Sequence, residues 1–374
     1  MRRRRRPGCD IAMLSKDTPS GSPPAEEIRI AAVSLAGESP AAMAGRLARE
    51  IAALDAAVIK HDVFAPSGAM KEFLRAWTEA APQNDCPMTW VDCAPCAAGN
   101  PPAAMSLWAV SGPEVQTIRT GDGRPAGRTY ADGFARYCLL GGIGPSQAAA
   151  SPHAQARETF QNMLAALRLA GMEMTNVFRT WFYIDRILEW YGLFNEARTA
   201  FFRETGVFDA LVPASTGIGG GNPAGSALVA SCMAAAPVAD FSARAIPSPL
   251  QGPAQEYGSA FARAVEVASG GVRAVYVSGT ASITPNGRTA FSGDAAAQTE
   301  LTMRVVEAIL QSRGMGFGDV SRAIVYVKNP SDARVWEKWT EARNLTDMPA
   351  IVTSNDICRP DLLFEIEVDA SARG

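Results

Sequence analysis

The sequence predicts an α+β fold made of fused copies of one sandwich unit, a sheet backed by two helices, assembled as a pseudo-trimer within one chain. Three observations carry this. Residues 154–185 and 297–328 are one sequence written twice: AQARETFQNMLAALRLAGMEMTNVFRTWFYID lies over AQTELTMRVVEAILQSRGMGFGDVSRAIVYVK, with ten of 32 pairs identical. Both copies sit within the same order of apolar strand, amphipathic helix, strand, helix and strand. A fainter third copy precedes them, because Gly-Asn-Pro recurs at 99–101 and 221–223, each time ahead of an apolar strand. Three such units fill the 374 residues and suit three sheets around a pseudo-threefold axis. The expected division is a disordered Arg/Pro-rich tail over 1–27, a degenerate unit over 28–125, a second over 126–245 and a third over 246–374.

In chain order, the first unit reads as a helix over 41–56, a strand over 58–66 (VIKHDVFAP) and a helix over 68–77. Its segment 87–110 matches 213–235. The second unit reads as CLLGGIG (138–144), a helix over 154–170 ending at Gly171, the strand VFRTWFYID, a helix over 186–203 and the strand ALVASCMAA (227–235). The third begins with AVYVSGTASI (274–283) and a turn at Pro285-Asn286-Gly287. A helix follows over 295–313, with Leu301, Val305, Ala308 and Ile309 on one face. Gly314 supplies the positive φ that a helix end needs. The strand 321–328, a helix from Asp332 and the strand LLFEIEVDA (362–370) complete it.

Composition narrows the function. A net charge of -3 lacks the clustered basic excess of a nucleic-acid surface. The longest apolar run, 227–239, is too short to span a bilayer, so no membrane partner is expected. Seven cysteines at 9, 86, 93, 96, 138, 232 and 358 form no disulfide framework, which points to reduced thiols and a cytoplasmic protein. The five arginines 2–6, followed by a Pro/Ser/Gly-rich stretch without an apolar core, read as a solvated extension rather than a signal peptide. With only His61 and His153, a histidine metal site or a Ser-His-Asp triad has little material. Cys93-Ala-Pro-Cys96 lacks an evident fourth ligand, so no metal is expected. GIGGG (217–221) lacks a phosphate-loop context, so no nucleotide is assigned. No cofactor is expected.

Several residues stand out by type and place. Arg179 is a charge on an otherwise apolar strand and needs a partner; Tyr183 shares its strand face. Arg198 lies on the following helix. Guanidinium forks match carboxylates, so both arginines are candidate anion clamps, and a structural ion pair is the alternative. Arg322, the repeat partner of Arg179, favours that alternative, as Tyr326 favours a core role for Tyr183. Ser278, Gly279 and Thr280 form a strand-end turn whose backbone N–H groups could hold an anion.

SGTASITPNG (278–287), Gln298, RGMGFGDVSRAIVYVKN (313–329) and FEIE (364–367) resemble the YjgF/Rid superfamily of homotrimers with chorismate-mutase-like sandwich subunits and clefts between subunits. In the imine deaminases of that superfamily an arginine follows a Pro-Ala pair. Here Ile351 and Ser215 stand in its place, so deamination is not expected. RTWFYIDRILEWYGLFNEARTAFF (179–202), PASTGIGGGNPAG (213–225), SGTASI and DICRPDLLFEIEVDA (356–370) resemble the chorismatases, which cleave chorismate. That resemblance implies Glu365 as the general acid and Arg179, Arg198 and Arg263 as carboxylate clamps. It also implies a monomeric pseudo-trimer acting without a cofactor on a small molecule, chorismate. Cys358 resembles the branch that makes hydroxybenzoate; read alone, it is a small buried hydrophobe. Period-2 alternation puts Glu365 and Glu367 on one strand face, and a desolvated carboxyl there would hold its proton more tightly.

Overall fold

The computed structural model describes residues 1–15, 25–82, 85–93, 103–146 and 150–374. The first unit comprises β1 (Arg2–Arg6), β2 (Cys9–Ser15), β3 (Glu26–Val33), α1 (Pro40–Ala52), β4 (Ala57–Phe64), α2 (Met70–Ala80), β5 (Met88–Val91) and β6 (Ala104–Ser111). The second comprises β7 (Gln116–Arg119), β8 (Pro125–Ala131), β9 (Ala135–Ile143), α3 (Pro152–Leu169), β10 (Val177–Ile184), α4 (Ile187–Glu204), β11 (Ala214–Gly219) and β12 (Leu228–Pro237). The third comprises β13 (Phe241–Ile246), β14 (Ala264–Ser269), β15 (Val272–Ala281), α5 (Ala295–Gln311), β16 (Val320–Val327), α6 (Ala333–Glu341), β17 (Ala350–Ser354) and β18 (Phe364–Arg373).

Each unit forms one six-stranded sheet: β1-β2-β3-β6-β4-β5, β11-β10-β12-β9-β8-β7 and β13-β14-β15-β18-β16-β17. One face of each sheet packs on its two helices. The other faces meet in a common core holding Phe64, Trp108, Trp181, Tyr183, Tyr276 and Tyr326. The pseudo-trimer is thus built around one shared interior.

The repeated residues have repeated tasks. The first helix of every unit is capped by a side-chain oxygen: Ser39 accepts from the Ala42 amide, Ser151 from Ala154 and Asp294 from Ala297. Gly171 and Gly314 take φ of 65° and 70°, and the Met172 and Met315 amides reach back to Leu167 and Leu310. In the first unit Asp55 takes this left-handed position, with φ of 50°. Gln155 and Gln298 are buried; their carbonyls accept the Ala227 and Leu363 amides and so tie each helix to the start of its unit's last strand, β12 or β18.

The tail expected over 1–27 is corrected in its first part, because residues 2–15 form β1 and β2 and extend the first sheet. Strand alternation sends Arg3 and Arg5 onto the third unit. Arg3 donates to the Gly318 and Val320 carbonyls, and Arg5 pairs with Asp347 and Asp10. The neighbouring unit thus supplies acceptors for Arg3 and Arg5, while Arg2 pairs with Glu26 of its own sheet. The sheets change between Ser111 and Gln116 and between Pro237 and Phe241, ahead of the expected boundaries at 126 and 246, because each later unit opens with short edge strands. The edge strands β5, β11 and β17 run parallel to their neighbours. The first Gly-Asn-Pro and Cys96 lie outside the described residues, as does the rest of the 1–27 segment from 16 to 24. Among the described residues no helix is long and apolar enough to cross a membrane, and no three ligand side chains cluster to hold a metal.

Candidate active site

The strand pairing makes one position in each unit comparable. Glu365 pairs in register with Tyr326, Val229 with Tyr183 and Ala104 with Phe64, so these three positions are equivalent around the pseudo-threefold axis. Only the third unit places an acid there. Its cleft, of about 230 Å³, lies between the second and third units. Glu365, Cys358, Arg359, Gly279 and Arg263 line it from the third unit, and Tyr191, Asn195, Arg198 and Ser215 from the second.

Glu365 is 5% exposed, and among the described residues nothing hydrogen-bonds or ion-pairs with its carboxyl. Burial, reinforced by the negative charge of Glu367 and opposed by Arg179, pushes it up to about 8. It therefore carries a proton at neutral pH. Its Oε1 lies above Gly279, where a β-carbon would come within 2.1 Å of it. That explains the glycine in SGT: the requirement is room for the carboxyl, since Gly279 has no left-handed φ.

Two further arginines line the same cleft. Arg198 is buried on α4, bonded to Asn195 Oδ1 at 2.6 Å and set against the Phe194 and Phe261 rings. Arg263 donates twice to the Gly252 carbonyl, at 3.0 and 2.8 Å, also beside Phe261. These carbonyl and amide oxygens and rings hold each guanidinium in place at the cleft wall. Arg359 is anchored to the Gly287 carbonyl at 2.8 Å. Cys358 is a free thiol pushed up to about 12 by burial and by Glu365, so it stays neutral and serves as a small apolar wall.

Four expected binding residues are placed elsewhere. Arg179 is fully buried and donates to Glu367 Oε2 at 2.9 Å and to Thr216 Oγ1 at 2.8 Å. It serves the scaffold, as Arg322 does with Glu367 and Asp369. Lys60 is the third equivalent of this pair and bonds Asp62. Tyr183 meets Phe64 at 5.7 Å on the pseudo-axis, in the interior rather than the cleft. The Ser278 hydroxyl donates to the Ala262 carbonyl and accepts from the Ser215 amide. The Thr280 hydroxyl turns back to the Ser278 carbonyl. Of the SGT turn only Gly279 faces the cleft, and its N–H is taken by Thr216 Oγ1 at 3.1 Å. For Arg179, Ser278 and Thr280 the physical reason is common: a buried polar group must be satisfied, and here groups of the scaffold satisfy it; Tyr183 is held in the interior by ring packing.

Tyr191, Asn195, Ser215, Phe261 and Arg359 line the cleft without having been singled out. Helical spacing back from Arg198 by three and then four residues finds Asn195 and Tyr191 on its face. Arg359 stands beside Cys358 in the CRPDLL segment.

Residues 258–372 match the Endoribonuclease L-PSP family. The chain is 28% identical over 273 residues to a 3-hydroxybenzoate synthase of Streptomyces hygroscopicus, a match spanning 66% of this chain and 76% of that one. A solved chorismatase structure superposes with a TM-score of 0.62 at 20% identity, covering 84% of this chain and 93% of the other; that likeness is one of fold. The repeated sandwich unit and the three sheets around one core agree with these matches: the third unit carries the Endoribonuclease L-PSP match, and the chain is similar to the 3-hydroxybenzoate synthase in sequence and to the chorismatase in fold.

Proposed function

We propose that the protein is an enzyme that cleaves chorismate to pyruvate and a hydroxybenzoate, with 3-hydroxybenzoate favoured. The observation that carries this reading is the proton-bearing Glu365 carboxyl, at a position where the other units carry Val229 and Ala104, in a cleft that Arg198 and Arg263 also line. Chorismate presents two carboxylates and an enol ether. The arginines supply forks for the carboxylates. Glu365 delivers its proton to the enol-ether methylene carbon, which forms an oxocarbenium-like cation and leaves a carboxylate beside it. Pyruvate and hydroxybenzoate together contain all the atoms of chorismate, so this outcome consumes no water, and the proton lost as the ring becomes aromatic restores Glu365. A hydrolase yielding a dihydroxycyclohexadiene carboxylate shares the first step but adds one water. A non-catalytic binding protein would use the same arginines and would have no need of a buried, protonated acid.

The test is chromatography of products after incubation with chorismate. Pyruvate with 3-hydroxybenzoate is expected; the dihydroxydiene alone would reassign the product, and unchanged chorismate would end the reading. Two variants refine it. Arg263→Met should raise KM for chorismate about 10- to 100-fold, the usual weight of a charge-assisted bond to a carboxylate; steady-state kinetics showing an unchanged KM would make the residue structural. Cys358→Val, which puts an aliphatic group in the cleft wall, should shift output toward the dihydroxydiene. The two routes diverge after a common step, so ~1.4 kcal/mol changes their ratio tenfold.

A further inference from the structure

The shared core holds a set of buried charges that spans all three units. Lys60 bonds Asp62, Arg29 bonds Glu27, Arg322 bonds Asp369 and Glu367, and Arg179 bonds Glu367. Glu367 is the hub. It accepts from Arg179 at 2.9 Å, from Arg322 at 2.5 Å and from the Trp181 indole at 2.9 Å. Burial works against its charge, yet the two guanidiniums outweigh burial and pull it down to about 2. Glu365 follows on the same face of β18, one pleat away, a Cα spacing of roughly 7 Å. The equivalent positions of the other units carry Ser231 and Ser106, so at this position an anion occurs only in the unit that carries the acid. Thr216 closes the link: its Oγ1 accepts from both Arg179 and Gly279, the residue beneath the Glu365 carboxyl.

We propose that Glu367 is a positioning residue, a permanently ionised carboxylate clamped by Arg179 and Arg322 that keeps Glu365 in its proton-carrying form. Two carboxylates this close in a dry interior resist sharing a negative charge, and the guanidiniums assign it to Glu367. The other titratable and charged groups near Glu365 are Arg179 from β10 and Cys358 from the loop before β18, and Arg198 from α4, Arg263 ahead of β14 and Arg359 line the same cleft. Arg179 opposes the proton, so the bias comes from burial and from Glu367. The inference rests on Glu365 being the acid of the proposed reaction.

The test titrates Glu365 without substrate. Infrared difference spectra against pH follow its protonated carbonyl band, identified by its loss in Glu365→Gln. In Glu367→Gln the midpoint should fall by about one unit or more, since a near negative charge is gone. In Arg179→Gln it should rise, because Glu367 is less neutralised and a cation near Glu365 is removed. The alkaline limb of kcat/KM should move in the same directions. A purely structural role would lower amplitude and leave the midpoint in place, and an unmoved midpoint in a folded variant overturns the proposal. Should Glu367→Gln fail to fold, Arg179→Gln gives the opposite-signed result alone. Because the titration needs no chorismate, its failure is separable from failure of the proposed reaction.

Discussion

Glu365→Gln should lower kcat on chorismate by ~100-fold or more while the protein stays folded, as circular dichroism would show. Loss of a general acid commonly costs on the order of 10²–10⁴-fold. The amide is nearly the same size as the acid and, in the described structure, breaks no hydrogen bond or ion pair, so the loss is chemical. The pH dependence has a definite sign. Glu365 works in its protonated form and is pushed up to about 8, so activity should hold at neutral pH and fall as pH rises through about 8. An ordinary carboxylate would give the same loss near pH 4. A variant with undiminished activity would remove Glu365 from the mechanism.

Gly279→Ala should be nearly as damaging. The added methyl would lie 2.1 Å from Glu365 Oε1 and 3.3 Å from Thr216 Cγ2. What must yield is the free end of a flexible side chain, so the carboxyl moves and the strand stays. Alanine fits this backbone, and unfolded-state entropy favours it over glycine. Kinetics should show at least a tenfold fall in kcat, with the melting temperature within a few degrees of the parent. Normal activity would mean that the carboxyl acts from some other position.

The repeat made much of the architecture legible. Identical pairs such as Gln155/Gln298 and Gly171/Gly314 mark places where both copies need the same cap or tether. The central strands announce themselves by long apolar runs. Edge strands such as β7 (QTIR) and β13 (FSARAI) do not, because they are short and one side faces water. The arginines 2–6 looked disordered because their acceptors, at Gly318, Val320 and Asp347, come from the other end of the chain. Arg179 shows the same limit at the site. Its strand demands an anion, and pattern alone does not distinguish a substrate carboxylate from Glu367. Arg198, Arg263, Glu365, Cys358 and Gly279 do meet in one cleft. The asymmetry that selects that cleft, Glu365 against Val229 and Ala104, becomes visible only through strand register.

The most direct measurement is pyruvate release from chorismate by the purified protein, followed through a lactate dehydrogenase couple, with Glu365→Gln alongside. Steady pyruvate formation by the parent at neutral pH and a rate ~100-fold lower in the variant is the predicted result. Chorismate left intact by the parent, or equal rates from both proteins, would contradict the account.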